Sequence, residues 1–393
     1  MIPKRELLEL RTEWALDVNI IEKDYLLGWL LAGIANDPAL RDTWVFKGGT
    51  CLRKCYYETY RLSEDLDFTV IDGGPEEPEA LVLIFRRIAE WVREQCGMKL
   101  VIDDRSFRRR QNRRGNPTTQ GGIAYRGPTL PTQFPKVKID LTTDEVLVAE
   151  PEMRPIGHQY SDALLPGEGA RCYSLTELFG EKLRALAERC RPRDLYDVVH
   201  MHRHPDLIGL APEVALILAR KCAHAGIDVP TLSTIHDSPY RAEVEQEWEN
   251  MLGHQLPKPS PPFADFWRTL DDVFAWLGGE AAVVLPRAEQ TKDDLDPTWV
   301  APRAITSWHR GFPFELIRYA GANRMKVELD YRAMNGRWGP RIVEPYSFRL
   351  TKAGNFILYV VNDRDQIRGY RADLVVGVRP TSETFVPRFA VEF

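Results

Sequence analysis

Phe46-Lys47-Gly48-Gly49-Thr50, followed after a short gap by Arg61-Leu62-Ser63-Glu64-Asp65-Leu66-Asp67-Phe68, carries more structural information than any other part of this chain. Two adjacent glycines stand between a short apolar strand (44–47) and a helical run (50–57), giving a bend whose free backbone N–H groups suit a phosphate. Residues 65–71 then alternate, with Asp65, Asp67 and Thr69 on one side and Leu66, Phe68 and Val70 on the other. Carboxylates at i and i+2 of a strand leave the same face and can share a divalent metal. A phosphate cradle beside metal carboxylates is the equipment of phosphoryl or nucleotidyl transfer. Taken alone, Asp-x-Asp also fits an ordinary solvated strand face.

A third acid strengthens the catalytic reading. Lys136–Thr142 alternates in the same way, with Val137, Ile139 and Leu141 facing one side and Lys136, Lys138 and Asp140 the other. On a neighbouring strand Asp140 would join Asp65 and Asp67 around Mg²⁺ or Mn²⁺, hard ions that take a few carboxylates and keep positions for water and phosphate oxygen. Further on, Leu175, Leu178, Phe179 and Leu186 form one helical stripe with Lys182 in its middle. Such a lysine snorkels, pairs with a buried acid or reaches into a cleft, and contact with a nucleoside triphosphate is the expected role. The helix opened by Arg191-Pro192-Arg193 places Asp194 and Asp197 on one face, open to either a helix–helix ion pair or a part in the site.

Bulk properties narrow the partners. A net charge of -5 excludes a chain that is basic all over, so contact with RNA must come from a local patch. The strongest is Arg105, Arg108, Arg109, Arg110, Arg113 and Arg114 around Phe107, expected as a loop overhanging the site just before the Asp140 strand. Six cysteines at irregular spacing point to reduced thiols in a cytoplasm, with Cys51 and Cys55 as core. The apolar run 25–34 is too short for a membrane span. His200, His202 and His204 resemble a metal set, but their place at a helix end fits a dipole interaction better. The Pro-rich run 256–262 reads as a linker. It divides the chain into a core (1–170), a helical bundle completing the site (171–255), a linker with one short helix (256–300) and a terminal region of short strands (301–393).

Taken in order, Glu22-Lys23-Asp24-Tyr25, the two stretches quoted first, Lys138-Ile139-Asp140, Glu181-Lys182-Leu183-Arg184-Ala185-Leu186 and Arg193-Asp194-Leu195-Tyr196-Asp197 resemble the AbiEii/AbiGii toxin family over roughly residues 1–250. These are nucleotidyltransferase-like proteins of bacterial toxin–antitoxin and abortive-infection (phage defence) systems, and the MenT relatives add nucleotides to tRNA 3′ ends. The resemblance implies an α/β (α+β) nucleotidyltransferase fold, with a mixed sheet followed by a helical bundle. It further implies metal at Asp65, Asp67 and Asp140, triphosphate beside Lys47, Gly48, Gly49, Thr50, Ser63 and Lys182, and a later motif at Asp194 or Asp197. Many superfamily members have serine where this chain has Thr50, which keeps the hydroxyl. The expected reaction moves NMP from an NTP to an acceptor hydroxyl, most simply a tRNA 3′ end, in a toxin that has a cognate antitoxin. A protein hydroxyl (AMPylation or NMPylation) and a nucleic-acid-sensing regulator with a non-catalytic nucleotidyltransferase half are the alternatives. The last region resembles a WYL domain, a small β-barrel, with Phe356-Ile357-Leu358 where the name-giving triplet would stand. That resemblance makes Tyr331, Arg349 and Arg371 candidates for a nucleotide or oligonucleotide ligand.

Overall fold

The structure is a computed structural model that describes residues 1–393 apart from 58–60, 113, 131, 165–168, 282, 291–293, 300, 302–313, 335 and 337. Its first half is built on a mixed sheet. The strands run in the order Lys99–Val101, Pro117–Arg126, Lys136–Thr142, Asp65–Val70, Trp44–Lys47, Gly169–Cys172 and Glu152–Pro155, with Phe107–Gln111 hydrogen-bonded to Pro117–Arg126. Asp65–Val70 pairs in parallel with Lys136–Thr142, and Trp44–Lys47 pairs in parallel with Gly169–Cys172; the other ladders are antiparallel.

The alternation seen in the sequence sets the two faces. Leu66, Phe68, Phe107, Ile123, Val137, Ile139 and Leu141 are buried, and the helices Val18–Asn36 and Pro78–Cys96 lie on that side of the sheet. Phe85 of the second helix meets Phe107 with ring centroids 4.8 Å apart. The face carrying Asp65, Asp67 and Asp140 stays partly open. The basic segment departs from expectation: it is an edge strand, Phe107–Gln111, because burying Phe107 draws it into register with Pro117–Arg126. The helix after the glycine bend also differs, running as Gly48–Cys51 and then as a π-helical turn, Leu52–Tyr56.

The motif Glu22-Lys23-Asp24-Tyr25 is absorbed by this packing. Asp24 is fully buried and accepts from Lys54 Nζ at 2.7 Å and from the Tyr160 hydroxyl at 2.8 Å. Burial pushes the Asp24 carboxyl up, but Lys54 and Arg53 outweigh it and hold it low. The pair therefore fastens the helix that leaves the glycine bend to the Val18–Asn36 helix.

Helices Leu175–Arg189, Pro192–His202, Ala211–Ala225, Leu232–His236 and Arg241–Leu252 form the bundle. The Pro-rich run after them is no loose tether. Gln255 and Leu256 are buried, Trp248 Nε1 donates to the Pro261 carbonyl at 2.7 Å, and the Phe263–Leu277 helix stacks Phe266 on Tyr196 and Trp276 on Phe179. No helix among the described residues is long and apolar enough to cross a membrane.

The last region is a five-stranded antiparallel sheet in the order Ile367–Arg371, Phe356–Asn362, Trp338–Leu350, Met325–Arg332, Val375–Thr384. Among the described residues its two end strands do not pair, so the expected closed barrel is not what the ladders show. A 3₁₀ turn, Ala372–Leu374, separates its strands Ile367–Arg371 and Val375–Thr384, and the region of short strands also holds a helix, Phe314–Ala322. That helix touches the first helix of the chain, Lys4–Trp14. There burial pushes the Glu13 carboxyl up to about 7, with Glu315 adding like-charge repulsion. A carboxyl raised in the fold favours the folded state while protonated: its contribution is full below about 4.5 and is lost as pH rises through about 7. Because Glu13 is only half-buried, the effect is on the order of 1–2 kcal/mol. Glu13→Gln is expected to melt above the unsubstituted protein at pH 8 and beside it at pH 4. An equal gain at both pH values would contradict this.

Candidate active site

Register brings the three acids together. In the parallel ladder Asp67 is the partner of Asp140 and Asp65 of Lys138; across the antiparallel ladders Lys47 faces Asp67, Gln120 faces Asp140, and Arg108 faces Gln120. Adjacent strands lie about 4.8 Å apart and directly opposed side chains leave the same face. The result is one row across five strands: Lys47, Asp67, Asp140, Gln120, Arg108. Burial pushes the Asp67 carboxyl up to about 6, with Asp140 and Asp65 adding to the rise against Lys47 and Lys182. Asp65 is raised too, by burial first and then by Asp140 and Glu64, against the pull of Lys138.

The glycine bend closes on this row. Gly48 has φ +80°, a conformation that side chains resist, and a Cβ there would collide with Asp67 Oδ2. A Cβ on Gly49 would strike the Arg61 guanidinium and crowd Ser63 Oγ. Gly48, Gly49, Ser63 and the acids therefore share one wall. Ser63 Oγ makes no hydrogen bond among the described residues and is free to meet a phosphate oxygen. Thr50 differs from expectation: it is fully buried and its hydroxyl donates to the backbone carbonyl of Asp65, so it ties the bend to the acid strand and does not face a triphosphate.

The cations behind the acids are also engaged. Lys47 Nζ lies 2.5 Å from Glu145 Oε1 and 3.8 Å from Glu181 Oε1, and these carboxylates outweigh burial to raise its pKa. Lys182 Nζ lies 2.7 Å from Asp197 Oδ2 and 3.8 Å from Asp194 Oδ1. Arg61 grips Asp197 with two bonds of 2.7 and 2.8 Å, and Arg189 grips Asp194 with two of 2.7 Å. Asp194 and Asp197 thus serve as helix–helix ion pairs, and Lys182 acts on Asp67 only through its field. Arg61 and Glu181 stood in the quoted motifs without a role of their own, and Glu145 was not singled out. Arg61 offered one signal, an arginine beside Leu62 and Ser63 at the mouth of the acid strand.

The acids suit a hard divalent ion. Asp65 and Asp67 side chains make no hydrogen bond or ion pair among the described residues, and Asp140 Oδ1 is buried without a partner while Oδ2 takes Lys138 Nζ at 3.0 Å. Three crowded carboxylates, two of them with raised pKa, are an excess of negative charge that a cation relieves. Their oxygens do not all lie within 4.8 Å of one another, so the three do not form a closed ligand set as they stand.

The arginine strand divides by face. Arg108 and Arg110 leave the acid-bearing side and carry no ion pair among the described residues, whereas Arg109 leaves the other side and pairs with Glu76 and Glu77. Arg114 lies 3.6 Å from Asp144, Arg105 is exposed, and Arg113 falls outside the described residues. In the last sheet Arg349 is occupied by Glu289 and Glu392, and Arg371 by Asp373. Tyr331 packs against Tyr370 at 4.7 Å, and Arg341, not singled out from the sequence, lies over both rings at 4.8 and 5.1 Å.

A mixed sheet with paired carboxylates on adjoining parallel strands beside a glycine bend defines a nucleotidyltransferase. The chain belongs to the family described as nucleotidyl transferase AbiEii toxin, type IV toxin–antitoxin system, which it matches over residues 29–275, and it is a nucleotidyltransferase toxin. Among solved structures it is similar to MenT4, a nucleotidyltransferase toxin from Mycobacterium tuberculosis H37Rv, with TM-score 0.42 and 18% identity over 71% of this chain and 89% of that one. It also shares similarity with the proteasome accessory factor B/C (PafBC) of Arthrobacter aurescens, with TM-score 0.18 and 17% identity over 44% of this chain and 21% of that one. No curated protein sequence matches it.

Proposed function

We propose that this toxin transfers NMP from a bound NTP to the 3′ hydroxyl of an RNA, with tRNA as the preferred acceptor, and that Asp65, Asp67 and Asp140 bind Mg²⁺ for the purpose. The observation that carries the reading is the register pairing of Asp67 with Asp140 beside Gly48. The metal supplies charge neutralisation at the triphosphate and a lower pKa for the attacking hydroxyl. Backbone N–H groups of the bend and Ser63 Oγ orient the phosphates; Lys47 and Lys182, each held by two acids, offset part of the negative charge of the aspartate row. We assign Asp140 to accept the proton of the acceptor hydroxyl, because it faces Asp67 in the parallel ladder. Positioning and fixed charge supply most of the rate. In a cell such an activity calls for a cognate antitoxin.

The row also supports RNA over a protein acceptor. Arg108 lies two strands beyond Asp140 on the same face, about 10 Å away, and Arg110 follows it. That spacing suits a phosphate backbone leading from the acids. Incubation with each labelled NTP, Mg²⁺ and total tRNA is expected to label RNA; label on protein alone, or on nothing, would overturn the proposal. The double variant R108E/R110E is expected to cut RNA labelling by about 10- to 100-fold, mainly through KM, and to flatten its salt dependence. Arg109→Glu, on the other face, is the control: an equal loss there would remove the assignment of a path.

A further inference from the structure

Three sulfur atoms meet behind the glycine bend. Cys51 and Cys55 lie one turn apart, and Cys172 comes from the parallel strand where it pairs with Phe46, two residues before Gly48. All three are buried, at 0%, 3% and 0% exposure, so no solvent-facing role explains them. Their Sγ atoms all lie within 4.8 Å of one another, and among the described residues no other three metal-ligating side chains come so close. Three thiolates about 2.3 Å from a central ion are about 4 Å apart, so a contraction of less than 1 Å closes the site.

Two polar side chains border the cluster. Arg154 lies over the Tyr56 ring at 4.6 Å, and its Nε is buried without a hydrogen-bond partner. Tyr56, which donates to the Tyr173 carbonyl at 2.6 Å, keeps its hydroxyl 3.8 Å from Cys172 Sγ. The Arg154 guanidinium also lies 3.9 Å from a Glu152 carboxylate oxygen, so its charge is already partly matched.

We propose that Cys51, Cys55 and Cys172 bind one thiophilic d¹⁰ cation, Zn²⁺ or Cu⁺. Binding forms three metal–sulfur bonds and releases the three thiol protons to solvent; no electron moves. Soft thiolates select these ions over Mg²⁺, so the site and the acid row do not compete. Trigonal sulfur suits Cu⁺, and three thiolates with a water as fourth ligand suit Zn²⁺. The ion ties the helix of the glycine bend to the strand Gly169–Cys172.

The test uses the full chain, stripped under reducing conditions and held in excess Mg²⁺. It is titrated anaerobically with Zn²⁺ in one arm and Cu⁺ in the other, each against a chromophoric competitor. One ion per chain in either arm, with melting raised by about 5 °C, is the expected result. The triple variant C51S/C55S/C172S should lose at least about 100-fold in affinity. Should that variant not fold, Co²⁺ added to the unsubstituted protein must show intense thiolate-to-cobalt charge-transfer absorption. No stoichiometric uptake in either arm, uptake unchanged in the triple variant, or a Co²⁺ spectrum lacking the sulfur band overturns the proposal.

Discussion

Replacing Asp67 by asparagine is expected to lower nucleotide transfer by about three orders of magnitude while raising the melting temperature by about 2–5 °C. Both effects arise from one arrangement. Asp67 lies against Gly48, opposite Asp140, in a pocket whose burial and like charges push its carboxyl up to about 6. Holding it ionised at neutral pH works against the fold by on the order of 1–3 kcal/mol, and the neutral isostere removes that strain. In the proposed mechanism the same charge holds the metal of a triphosphate, and its loss is expected to remove several kcal/mol of transition-state stabilisation. Thermal melting beside steady-state transfer with saturating Mg²⁺ measures both. Activity within tenfold of the original, or a drop in melting temperature, would falsify the assignment of Asp67 to the metal.

Much of this geometry was legible because it is local. The alternation in Asp65–Val70 and Lys136–Thr142 fixed which residues share a face, and Gly48-Gly49 marked a bend. What the alternation cannot give is the partner of each strand. That Asp67 meets Asp140 with no offset depends on a parallel ladder closed across about seventy residues. The same limit hid Glu145 and Glu181 behind Lys47, Asp197 behind Arg61, and Cys172 behind Cys51 and Cys55. The arginine run misled for another reason. Its charge suggested a solvated loop, yet burial of Phe107 outweighed it and gave a strand whose alternate arginines face opposite ways. In the last sheet Tyr331 was named from pattern, but its neighbours Tyr370 and Arg341 come from strands that only the fold brings together.

Asp197→Ala is expected to be the most destabilising single change near the site. The carboxylate is fully buried and holds two cations, Arg61 at 2.7 Å and Lys182 at 2.7 Å, whose side chains are only 3% and 10% exposed. Removing it leaves Arg61 buried without this carboxylate and Lys182 with Asp194 at 3.8 Å, at a cost of about 3–5 kcal/mol. Asp194→Ala should cost less, since its partner Arg189 is 40% exposed and water can replace the acid. Activity is expected to follow stability for a geometric reason: Arg61 lies against Gly49, so a guanidinium released from Asp197 would enter the space proposed for the phosphates. The combination of Asp197→Ala with Lys182→Met separates the two roles. Deleting one stranded cation should restore about 1 kcal/mol or more in a double-mutant cycle, yet transfer should stay low because Arg61 remains unanchored. Recovery of transfer along with stability would mean that Asp197 serves the fold only, and that the bend needs no arginine behind it.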